Sequence, residues 1–154
     1  MKRVILDKYE ALLELSGRGP SQPWLGRARS TGTLVMIHRL GPEHARDRAI
    51  LRRYHSPARR LMALKHPSLA RVYDADVDDR AYHIVTEFAR GEPLEEVLER
   101  GRLELTVAIQ IAAQLAGALH ALHSVTTSKG PRPIIHGQLH PRHVVLTYLG
   151  EVKL

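Results

Sequence analysis

Apolar residues along this chain follow two rhythms. From Leu25 to Arg29 and from Thr33 to Leu40 they come in short, bulky runs around a Ser30-Thr31-Gly32 turn, Leu34-Val35-Met36-Ile37 being the densest. Runs of that kind, bounded by turn residues, predict strands. Pro42 opens a helical stretch to about His55, with Ala45, Ala49, Ile50 and Tyr54 on one face. Ser56-Pro57 predicts a fresh helix start, because serine caps N-termini and proline's missing N–H costs nothing in a first turn. That second piece covers Ala58 to Lys65 and stops before His66-Pro67. Leu69–Tyr73 and Tyr82–Phe88 then read as a β-hairpin joined by a polar turn around Asp76 to Arg80.

After the hairpin the rhythm becomes helical. Gly91-Glu92-Pro93 opens a short helix, Leu94 to Arg100, closed by Gly101. Val107, Ile111, Leu115, Leu119 and Leu122 recur at helical spacing with Ala108, Ala112 and Ala118 beside them, which predicts a long buried helix. Ser124 to Pro133 reads as a polar loop, and strands Val144–Thr147 and Glu151–Leu154 flank a Tyr148-Leu149-Gly150 turn. The order of strands, helix, strands and then helices predicts an α+β fold in two lobes, 1–88 and 89–154.

Composition narrows the setting. At 154 residues, 44% hydrophobic and 25% charged, the chain has the size and balance of one globular domain. The absence of cysteine excludes disulfides and thiolate metal sites and fits a reducing compartment, so a cytoplasmic location is expected. Met1 to Asp7 is too short in apolar residues for a signal peptide, and Gln110, Gln114 and His120 make 107–122 a core helix in expectation rather than a membrane span. The net charge of +7 raises nucleic acid as a partner, with Arg52, Arg53, Arg59 and Arg60 in the basic concentration. Only Tyr54 lies nearby as an aromatic, so a solvated basic face is the simpler expectation.

The chemistry concentrates in His136-Gly137-Gln138-Leu139-His140-Pro141-Arg142-His143-Val144-Val145-Leu146. This stretch resembles the catalytic loop of protein kinases, H-R-D-L-K-P-x-N followed by a hydrophobic strand. Leu6 to Glu10 leading to Gly17-Arg18-Gly19 resembles that family's opening strand and glycine-rich loop. Leu64 to Asp74 resembles its passage from helix C to strand 4, and Tyr82 to Phe88 with Gly91-Glu92-Pro93-Leu94 resembles strand 5, hinge and helix D. On these motifs the chain is similar to bacterial serine/threonine protein kinases along nearly its whole length. The resemblance implies an N-lobe over 1–88, an antiparallel sheet with helix C. Over 89–154 it implies the hinge, helices D and E, the catalytic loop and a β-hairpin. The sequence ends at Val152-Lys153-Leu154, before the family's Asp-Phe-Gly position, and so implies a truncated C-lobe.

The resemblance also implies which residues should carry chemistry. Gln138 stands at the proton-accepting aspartate, His140 at the lysine and His143 at the metal-binding asparagine. His38 stands at the phosphate-pairing lysine and Pro57 at the helix C glutamate. An amide is no general base near neutral pH. The expectation is therefore a pseudokinase: not an enzyme, without a cofactor, acting as a protein-interaction or regulatory scaffold. Gly17, Gly19 and the hinge backbone at Glu87 and Phe88 would be what remains of a nucleotide cleft. His38, His140 and His143 raise a divalent metal as a further reading, but His-Pro-Arg-His is not a recognised zinc spacing and no metal is assigned. Leu115, Leu119 and Leu122 are the expected surface for a protein partner or a second copy. The alternatives are a nucleic-acid or acidic-protein binder using the basic face, or a residual nucleotide-binding transferase.

Overall fold

The computed structural model describes residues 3–16, 21–41, 48–78 and 81–154, and these form two compact units. The first comprises Met1–Ala63 with Arg71–Phe88, the second Leu64–Ala70 with Ala89–Leu154.

The first unit is built on strands β1 (Arg3–Ile5), β2 (Tyr9–Glu14), β3 (Ser21–Ala28), β4 (Leu34–Leu40), β5 (Val72–Asp78) and β6 (Ala81–Glu87). They make one antiparallel sheet in the order β1-β2-β3-β4-β6-β5. The sheet curls until its first and last strands meet. The Leu6 N–H donates to Asp78 Oδ2 at 2.6 Å, and Lys8 Nζ reaches Asp74 Oδ2 at 2.7 Å. Leu6 and Asp7 take φ values of 50° and 57° in the β1–β2 turn. A left-handed conformation is costly for leucine, and the bond to Asp78 is what repays it there. Ile5, Tyr9, Ala11, Val35, Ile37 and Val85 fill one side of the sheet.

Helix α1 (Arg48–Leu61) covers the other side, where Ala58 and Tyr54 meet Leu40, Ala75, Tyr82 and Ile84. The expected restart at Ser56-Pro57 does not occur, since α1 runs unbroken through Pro57 and ends at Leu61 rather than Lys65. Proline there gives up one backbone hydrogen bond, a smaller loss than parting Tyr54 from Ala58 at the core. The beginning of that predicted helix, 42–47, lies outside the described residues. β3 starts four residues earlier than expected and takes in Pro23, which lies opposite His38 while its carbonyl accepts the Leu15 N–H at 2.9 Å. The predicted hairpin is present as β5 and β6, although β5 begins at Val72 rather than Leu69.

In the second unit, β7 (Gly91–Pro93) leads into α2 (Leu94–Glu99), followed by α3 (Leu105–His123). β7 pairs with β10 (Val145–Thr147), which pairs with β11 (Val152–Lys153). Gly91 is therefore a strand residue rather than a helix opener. A Cβ on it would lie 2.1 Å from the Leu146 carbonyl oxygen, so only glycine lets β7 approach β10. The expected loop 124–133 contains a small hairpin of β8 (Thr126–Thr127) and β9 (Gly130–Pro131). Leu94, Ile111, Val144 and Val152 form the core, with Leu103, Leu115, Leu146 and Leu154 against it.

α3 is less buried than its pattern predicts. Ile111, Ala118 and Leu122 face inward, whereas Leu105 is 74% and Ile109 59% exposed. Its apolar residues occupy more than one face, so the unit buries only one stripe of them. By length and composition alone α3 is apolar enough to cross a membrane.

Tyr82 is fully buried, and among the described residues its hydroxyl has no hydrogen-bond partner. An unpartnered buried hydroxyl costs about 1–3 kcal/mol. Tyr82→Phe is therefore expected to raise the unfolding free energy by about 1 kcal/mol, measured by urea titration; a destabilised variant would show that the hydroxyl is held by a bond.

Candidate functional site

The segment 136–143 is held at both ends by buried apolar residues. Ile134 is 7% exposed and its N–H donates to the Leu122 carbonyl at 3.0 Å, while Val144 is 1% exposed and its carbonyl accepts the Leu94 N–H at 2.8 Å. Between these anchors the polar side chains face solvent. Gln138, His140, Arg142 and His143 are exposed. Leu139 is 49% exposed, because the turn points it outward before the chain dives at Val144.

Three imidazoles organise the segment. His136 Nδ1 accepts the Gln138 N–H at 3.4 Å. Gly137, at φ +72°, makes that tight turn with no strain. His140 Nδ1 accepts the Arg142 N–H at 3.3 Å and the Arg142 Nε–H at 3.1 Å, capping a 3-10 turn over Pro141–His143. His143 Nδ1 lies 2.7 Å from the Gln138 carbonyl. A carbonyl only accepts, so His143 carries its proton on Nδ1, whereas His136 and His140, accepting at Nδ1, carry theirs on Nε2 when neutral, and His140 Nε2 then lies 3.5 Å from Arg142 Nη2 without a bond between the two donors. The His143 ring lies 6.4 Å from that of His136 and 6.2 Å from that of His140. Burial, with a smaller contribution from His143, pushes the His136 pKa down.

The other expected site residues fall elsewhere. His38 sits on β4, between Pro23 and Ile84 on the neighbouring strands, in the first unit. Burial lowers its pKa, so it is a neutral imidazole at pH 7. Pro57 lies inside α1 and half-buried. Glu87 is tied at the end of β6, where its N–H donates to the Arg71 carbonyl at 2.8 Å and its carboxylate accepts the Arg71 N–H at 3.2 Å. Phe88 is half-buried beside it. Gly17 and Gly19 lie outside the described residues, as do the side chains of Arg52 and Arg53. Arg59 is exposed, and Arg60 Nε donates to the Ser56 carbonyl at 3.3 Å. Among the described residues no group of three or more His, Asp or Glu side chains is placed to hold a metal ion; His38 belongs to the first unit, His140 and His143 to the second. The expected partner surface at Leu115, Leu119 and Leu122 is corrected: Leu122 is buried, Leu115 packs on the core, Leu119 is half-buried, and the exposed large apolar residues of α3 are Leu105, Val107 and Ile109 among the described residues.

One feature of the first unit escaped the sequence reading. Leu6, Asp7, Lys8, Asp74, Asp76, Val77 and Asp78 line a cavity of about 240 Å³. The signal was present in the alternation Asp74-Ala75-Asp76-Val77-Asp78, since every second residue of a strand faces one way.

Known proteins place this arrangement. The model of the protein tyrosine and serine/threonine kinase family matches residues 21–154. The chain is 28% identical to the probable serine/threonine-protein kinase CPE1738 of Clostridium perfringens over 99% of its own length, and 31% identical to the serine/threonine-protein kinase pkn2 of Myxococcus xanthus over 94%. It spans 21% and 17% of those two proteins. The crystal structure of the Mycobacterium tuberculosis PknI kinase domain superposes with a TM-score of 0.79 at 22% identity, covering 96% of this chain and 57% of that one. The kinase-like fold expected from the motifs is thus present. The expectation of a non-enzyme is overturned, because these relatives are named serine/threonine kinases. The physical reason is that phosphoryl transfer depends mainly on positioning and electrostatic stabilisation. An amide at Gln138 does not by itself exclude it.

The buried imidazoles set a pH dependence. The folded pKa values of His38 and His136 lie below the ordinary imidazole value near 6.5, so between those values the unfolded chain binds more protons. Stability is then complete above about pH 6.5 and falls as the pH drops through the folded values. Urea unfolding is expected to give a lower free energy at pH 5.5 than at 7.5, with a shallower dependence in His38→Leu; equal slopes in both chains would contradict the role given to His38.

Proposed function

The chain belongs to the protein tyrosine and serine/threonine kinase family, and from that premise we propose that it is a kinase-type regulatory module that engages a protein partner in the cytoplasm. The observation that carries this reading is the family pattern over 21–154, which runs through both structural units and includes the segment 136–146. Exposed apolar residues on α3, Leu105 and Ile109, support a protein as partner, because such side chains gain most from being covered. The absence of cysteine supports the reducing compartment. No resident cofactor or metal is assigned. Arg59 on α1 favours an acidic segment in the partner over nucleic acid, since the helix carries few aromatics to stack bases.

The test is affinity purification from the native host with the wild-type chain and a Leu105→Glu, Ile109→Glu double variant. Both substitutions fall on exposed positions, so the fold is expected to persist by circular dichroism. A stoichiometric protein complex retained by the wild type and lost by the variant is expected. A wild-type chain that elutes alone would contradict the reading.

A further inference from the structure

We infer that His140 is an acid-responsive latch, which on protonation leaves Arg142 for Glu95 and releases the segment 136–143. The inference concerns the loop's own geometry and stands apart from the identity of any partner. At neutral pH the segment hangs on imidazole nitrogens used as acceptors. His140 Nδ1 takes two donors from Arg142, its N–H and its Nε–H, and His136 Nδ1 takes the Gln138 N–H. A protonated imidazole is a donor at both nitrogens, so each of these bonds must break when its ring gains a proton. No alternative acceptor geometry preserves them.

A second arrangement is already in reach. Glu95 Oε1, from α2, lies 3.8 Å from His140 Nδ1. While that nitrogen is an acceptor the carboxylate cannot bond to it. Once the nitrogen carries a proton, the carboxylate becomes its natural partner and the Arg142 guanidinium its neighbour of like charge. The two states therefore differ by one proton and one exchange of partner.

The groups around the latch set its balance. α2 contributes Glu95, whose carboxylate faces His140 Nδ1 at 3.8 Å. β7 contributes Glu92, which is engaged by Arg100 and so is committed elsewhere. Within the segment, Arg142 and the His143 ring, 6.2 Å from His140, are its other charged or titratable neighbours. His136 adds to the same response, because its ring lies 6.4 Å from His143 and its Nδ1 is also an acceptor. Acid thus uncaps the Pro141–His143 turn through His140 and loosens Gly137–Gln138 through His136, whose pKa burial holds down, while Ile134 and Val144 stay buried and keep the ends in place.

The experiment is a nuclear magnetic resonance titration of the full chain from pH 8 to 5, following the His136 and His140 ring nitrogens and the Gln138 and Arg142 amides. Protection of those two amides, normalised to unstructured rates, is expected to fall roughly tenfold on acidification from pH 7.5, the Arg142 amide sharing its inflection with the His140 ring and the Gln138 amide with the His136 ring. Asparagine offers an acceptor oxygen near the place of Nδ1 without titrating, so His140→Asn is expected to keep the Arg142 amide bonded across the range. Glu95→Gln removes the acid-state partner and is expected to move the inflection to lower pH. A ring that titrates while the Arg142 amide stays unchanged would overturn the latch, as would an inflection indifferent to Glu95→Gln. Should His140→Asn fail to fold, the wild-type titration and Glu95→Gln still decide the matter.

Discussion

Backbone amides bonded to neutral imidazoles hold the segment that carries this chain's kinase-type motif. His136 and His140 each contribute a lone pair to an N–H two residues ahead, and His143 returns a proton to the Gln138 carbonyl. Local bonds of this kind would be weak in isolation. They count here because Ile134 and Val144 bury the ends of the segment, leaving the polar middle a short span to organise. His140 and His143 are thus structural parts of the loop.

The first unit solves a different problem. A sheet of six strands has two edges, and the β1–β2 turn brings one to the other through Asp78 and Asp74. The curl encloses Ile37 and Val85 on one side, while α1 covers Leu40 and Tyr82 on the other. His38 shares that second side with apolar neighbours, which is why burial keeps it neutral.

Much of this was legible in the sequence because strands and turns leave short-range marks. Leu34-Val35-Met36-Ile37 declared β4, and the Tyr148-Leu149-Gly150 turn placed β10 and β11. What failed were inferences from a single residue. Pro57 was read as a boundary, but contacts of Tyr54 and Ala58 with β4–β6 outweigh one lost hydrogen bond. Gly91 was read as a helix opener, yet its meaning is the close approach of β10, which lies more than fifty residues away. Within α3 the apolar residues were counted correctly, and the buried side was assigned to the partner. The inference from Gln138 to a non-enzyme failed similarly, by letting one side chain stand for a reaction that rests on many.

Ring-nitrogen chemical shifts of the histidines at pH 7.5 test the central claim most directly, because they report which nitrogen of each imidazole bears the proton. The account predicts the Nε2–H form for His136 and His140 and the Nδ1–H form for His143. Finding the Nδ1–H form at His140, or interconverting forms at all three rings, would contradict it.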